Sequence, residues 1–130
     1  MTVNVETNAP IDVVDVTDRV AAELPAIEVG LCTVFVEHTT AAVSINEAES
    51  RLIEDIEQFV AELSAPEGWK HDSLDGNAEA HLRSSLLGRS VSVPIRDGEL
   101  ALGTWQSVLL IECDGPRNRS LSVTVTAAER

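Results

Sequence analysis

The sequence predicts an α+β domain dominated by antiparallel strands, and three features point there. Segments toward both ends alternate apolar and polar residues at the two-residue period of a half-buried strand. Two central segments repeat apolar residues at helical spacing, and Asp97-Gly98 separates two strand-like runs as a hairpin turn.

Taken in order, Val3 and Val5 alternate with polar neighbours as a strand does, and Ile11 to Val16 is β-branched enough for a second. Thr17 reads as the N-cap of a short helix through Leu24, closed by Pro25. Leu31 to His38 reads as a strand with Cys32, Val34, Val36 and His38 on one face. After Ala41 to Ile45, Asn46 with Glu49 three residues later resembles a capping box. It would open a helix whose Leu52, Ile53, Ile56, Phe59, Val60 and Leu63 share a stripe.

Pro66 to Gly76 is rich in turn formers and reads as a loop carrying Trp69 and His71. A second helix is expected from Asn77 to Leu87, stopped by Gly88, with Ala78, Leu82 and Leu86 inward and Asn77, His81 and Ser85 along its flank. Val91, Val93 and Ile95 lead into the Asp97-Gly98 turn, and Leu100 and Leu102 lead out. Gln106 to Cys113 is apolar on both faces, which marks a central strand or one covered by another subunit. Arg119 to Thr126 alternates Leu121, Val123 and Val125 with hydroxyl residues.

At 130 residues, with no repeat or linker-like tract, the chain is expected to be one domain with one core. No apolar run approaches the roughly 20 residues that span a bilayer. Met1 to Pro10 lacks the basic and apolar stretches of a secretory signal, so a cytoplasmic location is expected. Cys32 and Cys113 lie in apolar segments outside any C-x-x-C pair and read as small buried hydrophobes. A net charge of −13 repels phosphate backbones and anionic lipid, so neither nucleic acid nor membrane is an expected partner.

No nucleophile elbow, P-loop or dinucleotide fingerprint is present, which argues against serine hydrolase, NTPase and Rossmann chemistry. The candidates are instead His38 at a strand end, His71 in a loop and His81 in the first turns of a helix. Neutral imidazole is a common ligand for zinc-like metals, and three rings from three elements would leave a coordination position open. Each has an ordinary alternative: a core histidine satisfied by Thr39 or Thr40, a solvated loop residue, and a helix-flank residue. The helix start after Asp75-Gly76 offers free N–H groups to an anion. In the segment Glu112 to Arg119, Arg117 or Arg119 could fork onto a phosphate or carboxylate while Glu112 or Asp114 orients it or binds a cation; the plain reading is a surface ion-pair cluster. Trp105-Gln106 is packing or the wall of a pocket, and Glu47 is a general base or a helix-start carboxylate.

Five ordered blocks carry a resemblance: His38-Thr39-Thr40-Ala41-Ala42 with Asn46-Glu47; Asp75-Gly76-Asn77-Ala78-Glu79-Ala80-His81-Leu82; Leu86-Leu87-Gly88; Leu102-Gly103-Thr104-Trp105-Gln106; and Glu112-Cys113-Asp114-Gly115-Pro116-Arg117. Together they resemble the YjbQ-like family, whose members are described as secondary thiamine-phosphate synthases. The likeness covers nearly the whole chain and is weakest before about Gly30. Glu79 stands where the family often has aspartate, and Glu37 where a proline often precedes the histidine.

The resemblance implies an antiparallel β-sandwich, jelly-roll-like, with short helices packed outside, assembled as a homotrimer with sites near subunit boundaries. It implies a divalent metal, zinc or else magnesium, on His38, His71 and His81. A small phosphorylated metabolite would meet Thr39, Thr40, Asn46, Asn77, Trp105, Gln106, Arg117 and Arg119, with Glu47, Glu112 and Asp114 as proton carriers or orienting groups. The implied reaction joins a pyrimidine methyl diphosphate to a thiazole phosphate, as a weak or secondary activity. A metal-dependent hydrolase of a phosphorylated metabolite and a non-enzymatic metal- or metabolite-binding trimer are the competing expectations.

Overall fold

A computed structural model describes residues 1–128 as two curled antiparallel sheets with three short helices, a sandwich-like α+β fold. The strands are β1 (Thr2–Glu6), β2 (Asp12–Asp15), β3 (Gly30–Val36), β4 (Ala41–Asn46), β5 (Ser90–Arg96), β6 (Glu99–Leu100), β7 (Ser107–Glu112) and β8 (Asn118–Ala127). The helices are α1 (Thr17–Ala21), α2 (Ser50–Glu62) and α3 (Ala78–Leu87). One sheet runs β1-β8-β3-β5-β6 and the other β2-β7-β4. No helix among the described residues is long and apolar enough to cross a membrane.

The alternation read from sequence sets the inner face of the larger sheet. Val3 and Val5, Cys32, Val34 and Val36, Val93 and Ile95, and Leu121 and Val123 all point into one core. Val43, Val108 and Leu110 meet them from the smaller sheet, and Val16 and Val20, just before and within α1, join them. The other face of the smaller sheet, with Val13, Ala42, Leu109, Ile111 and Cys113, packs on Val60 of α2 and Ala80 of α3. β7 is therefore central and covered on both sides within one chain, which accounts for its doubly apolar sequence. Cys32 and Cys113 are free and buried, and burial together with the nearby Glu112 charge pushes the Cys113 thiol up to about 11, so it packs as a neutral thiol.

Several boundaries differ from expectation, each for a local reason. Ala41–Asn46 is a strand paired with β7, so Asn46 ends β4 and does not cap α2. The cap is Glu49, whose Oε2 accepts the Leu52 N–H at 2.7 Å. Thr17 is the first residue of α1 and not its cap. Its hydroxyl bonds Asp15 Oδ1 at 2.6 Å and accepts the Val108 N–H at 2.8 Å, and the helix ends at Ala21, short of Leu24. The loop before α3 contains a 3₁₀ turn at Lys70–Ser73. Phe59 of α2 is 61% exposed, off the buried stripe assigned to it.

The largest departure is the rotation of α3. Leu82 and Leu86 are 42% and 71% exposed, while Ala80, Arg83 and Ser84 face inward. Small side chains let the helix approach β4. The Ser84 hydroxyl donates to Thr39 O at 2.6 Å, and the Arg83 guanidinium donates to Ala61 O at 2.8 Å and Ser64 O at 3.3 Å near the end of α2. Those polar anchors fix a face that leucine periodicity alone assigns wrongly.

At the turn into β3, a Cβ on Gly30 would collide with the Thr126 carbonyl oxygen and come within 2.8 Å of Ile27 Cδ1. Backbone cannot yield as a flexible side chain does, so Gly30→Ala is expected to lower stability by roughly 1–3 kcal/mol. A urea unfolding midpoint equal to that of the parent would refute this.

Candidate functional site

His71, in the 3₁₀ turn, and His81, on α3, meet edge to face with ring centroids 4.8 Å apart and planes at 83°. Asp72 shapes the turn by accepting the Trp69 N–H at 3.0 Å and the Ala78 N–H at 3.3 Å, which brings Trp69 and His71 over the start of α3. Gly68, Trp69, His71, Ala78, His81 and Leu82 border a hollow of about 440 Å³, completed by Lys70. His71 Nε2 is shielded from solvent without a hydrogen-bond partner, the nearest carboxylate oxygen being Asp75 Oδ2 at 3.7 Å. An unsatisfied ring nitrogen on the wall of a hollow is a position where an incoming donor or acceptor would be favoured.

Asn77 precedes α3 and reaches to the acidic-arginine loop. Its Nδ2 donates to Asp114 Oδ2 at 2.9 Å, and its Oδ1 is shielded and without a partner. The same Asp114 oxygen accepts Arg117 Nη2 at 2.9 Å. Arg117 is half-exposed, so this ion pair orients the guanidinium more than it stabilises the fold.

Glu112 and Arg119 turn out to be buried framework. Glu112 is 0% and Arg119 2% exposed, and they form a bidentate ion pair. Thr7 Oγ1 donates to Glu112 Oε1 at 2.6 Å and the Asp114 N–H to Oε2 at 3.1 Å, while Arg119 also donates to Thr40 Oγ1 at 2.9 Å and Thr40 O at 3.1 Å. Burial alone would raise the Glu112 carboxyl, but the hydrogen bonds from Arg119, Thr7 and Asp114 hold it below its ordinary value. With both oxygens occupied, Glu112 is committed to the framework, and Arg119 and Thr40 are equally engaged within the chain.

His38 is engaged elsewhere. Its Nε2 accepts the Ser120 N–H at 2.8 Å, which makes the neutral ring with its proton on Nδ1 the matching form. Arg89 braces the same strand end, donating from Nε to His38 O and from Nη2 to Thr39 O, both at 2.9 Å. Sequence reading missed Arg89 and Ser84, because nothing in a Gly-Arg turn or a mid-helix serine foretells which carbonyl it will meet. The expected convergence of His38, His71 and His81 is thus corrected: among the described residues no group of three or more His, Cys, Asp or Glu is placed to hold a metal. A zinc site with an open position needs three protein ligands, and of the three imidazoles only those of His71 and His81 meet.

The remaining candidates lie apart from that pair. Glu47, Trp105 and Thr104 border a separate hollow of about 320 Å³. Asn46 Oδ1 accepts the Glu47 N–H at 2.8 Å, and Gln106 Oε1 accepts the Gly103 N–H at 2.8 Å, so both amides serve local turns.

Burial and the Arg119 guanidinium lower the His38 pKa from its usual 6.5, outweighing Glu112 and Glu37. Since the folded state then binds fewer protons than the unfolded, the contribution is complete above the unfolded value. It falls away as pH drops through that value toward the folded pKa. Unfolding midpoints should therefore fall below about pH 6.5, and His38→Gln should flatten that limb; identical profiles for the two proteins would refute the assignment.

Fold and site together define a small α+β sandwich protein with an imidazole-walled hollow at a helix start and a buried ion pair behind its acidic-arginine loop. The chain belongs to the family described as UPF0047 protein YjbQ-like, which matches residues 1–128. A UPF0047 protein of Archaeoglobus fulgidus is 46% identical over 95% of this chain and 98% of its own. The UPF0047 protein YugU of Bacillus subtilis is 34% identical over 92% of each. Among solved structures, a hypothetical protein from Aeropyrum pernix K1 aligns with a TM-score of 0.94 at 44% identity, covering 98% of both chains. A YbjQ-like protein of unknown function from Sulfolobus solfataricus P2 aligns at 0.92 and 39% identity, covering 98% of this chain and 96% of the other.

Proposed function

We propose that the protein binds a flat, phosphorylated heteroaromatic metabolite beside His71 and His81 and acts as a transferase joining a pyrimidine methyl diphosphate to a thiazole phosphate. The supporting observation is the perpendicular His71–His81 pair, with its unpartnered Nε2, in a hollow whose other walls are Trp69, Ala78 and Leu82. Aromatic and apolar walls suit a planar ring. In the reaction the thiazole nitrogen forms the new bond to the methylene carbon, and diphosphate departs with the electrons of the broken C–O bond. Arg117, held by Asp114 on the loop joined to Asn77, is the cation assigned to that departing charge.

A divalent metal, zinc or magnesium, belongs to the same proposal. His71 and His81 would be two of its ligands, and the others would come from a neighbouring copy or the bound metabolite. The exposed Leu82 and Leu86 on α3 beside this hollow suit burial against a second copy, in keeping with a homotrimer.

Purified protein should form thiamine phosphate from the two substrates in the presence of zinc or magnesium. Arg117→Ala should lower kcat/KM roughly 100-fold with the unfolding midpoint unchanged. Wild-type protein silent with and without each metal would end the transferase reading. Native mass spectrometry with elemental analysis would separately count subunits and metal.

A further inference from the structure

β1 is an edge strand, paired with β8 and, among the described residues, with no strand on its other side. Val123 N–H donates to Met1 O at 2.8 Å and Thr7 N–H to Arg117 O at 2.9 Å. In the same register Val3 faces Leu121 and Val5 faces Arg119. Hydrogen-bonded pairs alternate along an antiparallel ladder, so these odd-numbered residues spend their N–H and C=O groups on β8. The backbone groups of Asn4 and Glu6, half a period away, point outward from the sheet edge.

Those two residues border a hollow of about 710 Å³ whose wall also holds Val5, Asn8, Arg19 and Asn118. Four of its five polar side chains are uncommitted. Among the described residues, the side chains of Glu6, Asn8, Arg19 and Asn118 make no hydrogen bond or ion pair within the chain. Asn8 contributes its backbone N–H to Asp12, and Asn4 takes the Ser120 hydroxyl at 3.3 Å. Arg51, Arg83, Arg89, Arg117 and Arg119 bond to carbonyls or carboxylates, and among the described residues only Arg19 and Arg96 do not. The hollow shares no residue with the one beside His71 and His81.

We infer that this hollow is a binding site for a free L-α-amino acid, held by its zwitterionic head. One guanidinium and one carboxylate on the same wall match a ligand carrying both charges. A net-neutral zwitterion also approaches a chain of net charge −13 without long-range repulsion. The α-carboxylate takes Arg19 and an outward edge N–H; the α-ammonium takes Glu6 and an edge C=O. A single amino acid thereby reproduces the donor and acceptor pattern that a neighbouring strand residue would present. The amides of Asn8 and Asn118 remain for a polar ligand side chain.

The test is isothermal titration calorimetry of the full chain with the common L-amino acids, each binder then repeated as its N-acetyl and its C-amide derivative. At least one amino acid should bind at a single site and raise the melting temperature with concentration. Each blocked form should bind at least tenfold more weakly, as should free ligand to Arg19→Ala and to Glu6→Gln, while His81→Ala should bind as the parent does. Both substituted positions are exposed, and circular dichroism would verify the fold. Silence across all the amino acids, equal binding of blocked forms, unchanged affinity in both variants, or tighter binding of a tripeptide than of the free amino acid would each overturn the inference.

Discussion

Glu112→Ala should lose about 3–5 kcal/mol of stability, because it strands the Arg119 guanidinium in a site that is 2% exposed. Thr40 would remain as that guanidinium's neutral partner, and Thr7 Oγ1 and the Asp114 N–H would lose their acceptors. Against the 5–15 kcal/mol typical of a folded domain this is a large fraction, and a melting-temperature drop of about 10–20 °C follows. The paired replacement Glu112→Leu with Arg119→Met removes both charges, so most of the loss should be recovered, and the cycle should show strong coupling. A loss below about 1 kcal/mol for Glu112→Ala alone would mean that the pair is not a framework element. The acid limb gives an independent reading. With its folded pKa below the ordinary 4.5, the Glu112 contribution is present above that value and disappears as pH falls through the folded pKa.

That ion pair also shows where sequence reading stops. Val3 with Val5, Cys32 with Val34 and Val36, and Leu121 with Val123 announce their strands and inward faces, since one buried face forces a two-residue period. The Asp97-Gly98 turn was equally plain, with both residues at positive φ. Ala41–Asn46 was harder to read, because alanines carry little strand preference and β4 packs on both faces. The inward face of α3 depended on hydroxyl and guanidinium bonds to particular carbonyls, which no periodicity encodes.

The candidate site was legible in part for the same reason. His71 and His81 stand out as residue types, and their rings meet. His38 was singled out on the same grounds, yet its ring nitrogen is taken by the Ser120 backbone, a contact created by a strand 82 residues away. Glu112 to Arg119 reads as a charged loop, but which pair is buried and which exposed depends on the neighbours. Arg119 lies on β8 between Thr40 and Glu112, while Arg117 stands outside the sheet, half-exposed and paired with Asp114.

Gly115→Ala should be the second large loss, because this glycine lies where three segments close on one another. Its N–H donates to Pro10 O at 3.0 Å, and a Cβ there would collide with the Ala9 carbonyl oxygen. The same Cβ would come within 2.8 Å of Glu112 Cγ and 3.0 Å of Thr7 Oγ1. Two of those obstacles belong to the buried network and one to backbone, so none can move aside cheaply. A cost of roughly 1–3 kcal/mol or more is expected. The effect should also reach the proposed site, since Asp114 and Arg117 flank the displaced residue and Asn77 hangs on Asp114. Combined with Glu112→Ala, the second loss should be smaller than in isolation, because truncating Glu112 removes the Cγ that the new methyl strikes. Strictly additive losses, read from urea unfolding of the two single variants and the double, would show that Gly115 and Glu112 act independently.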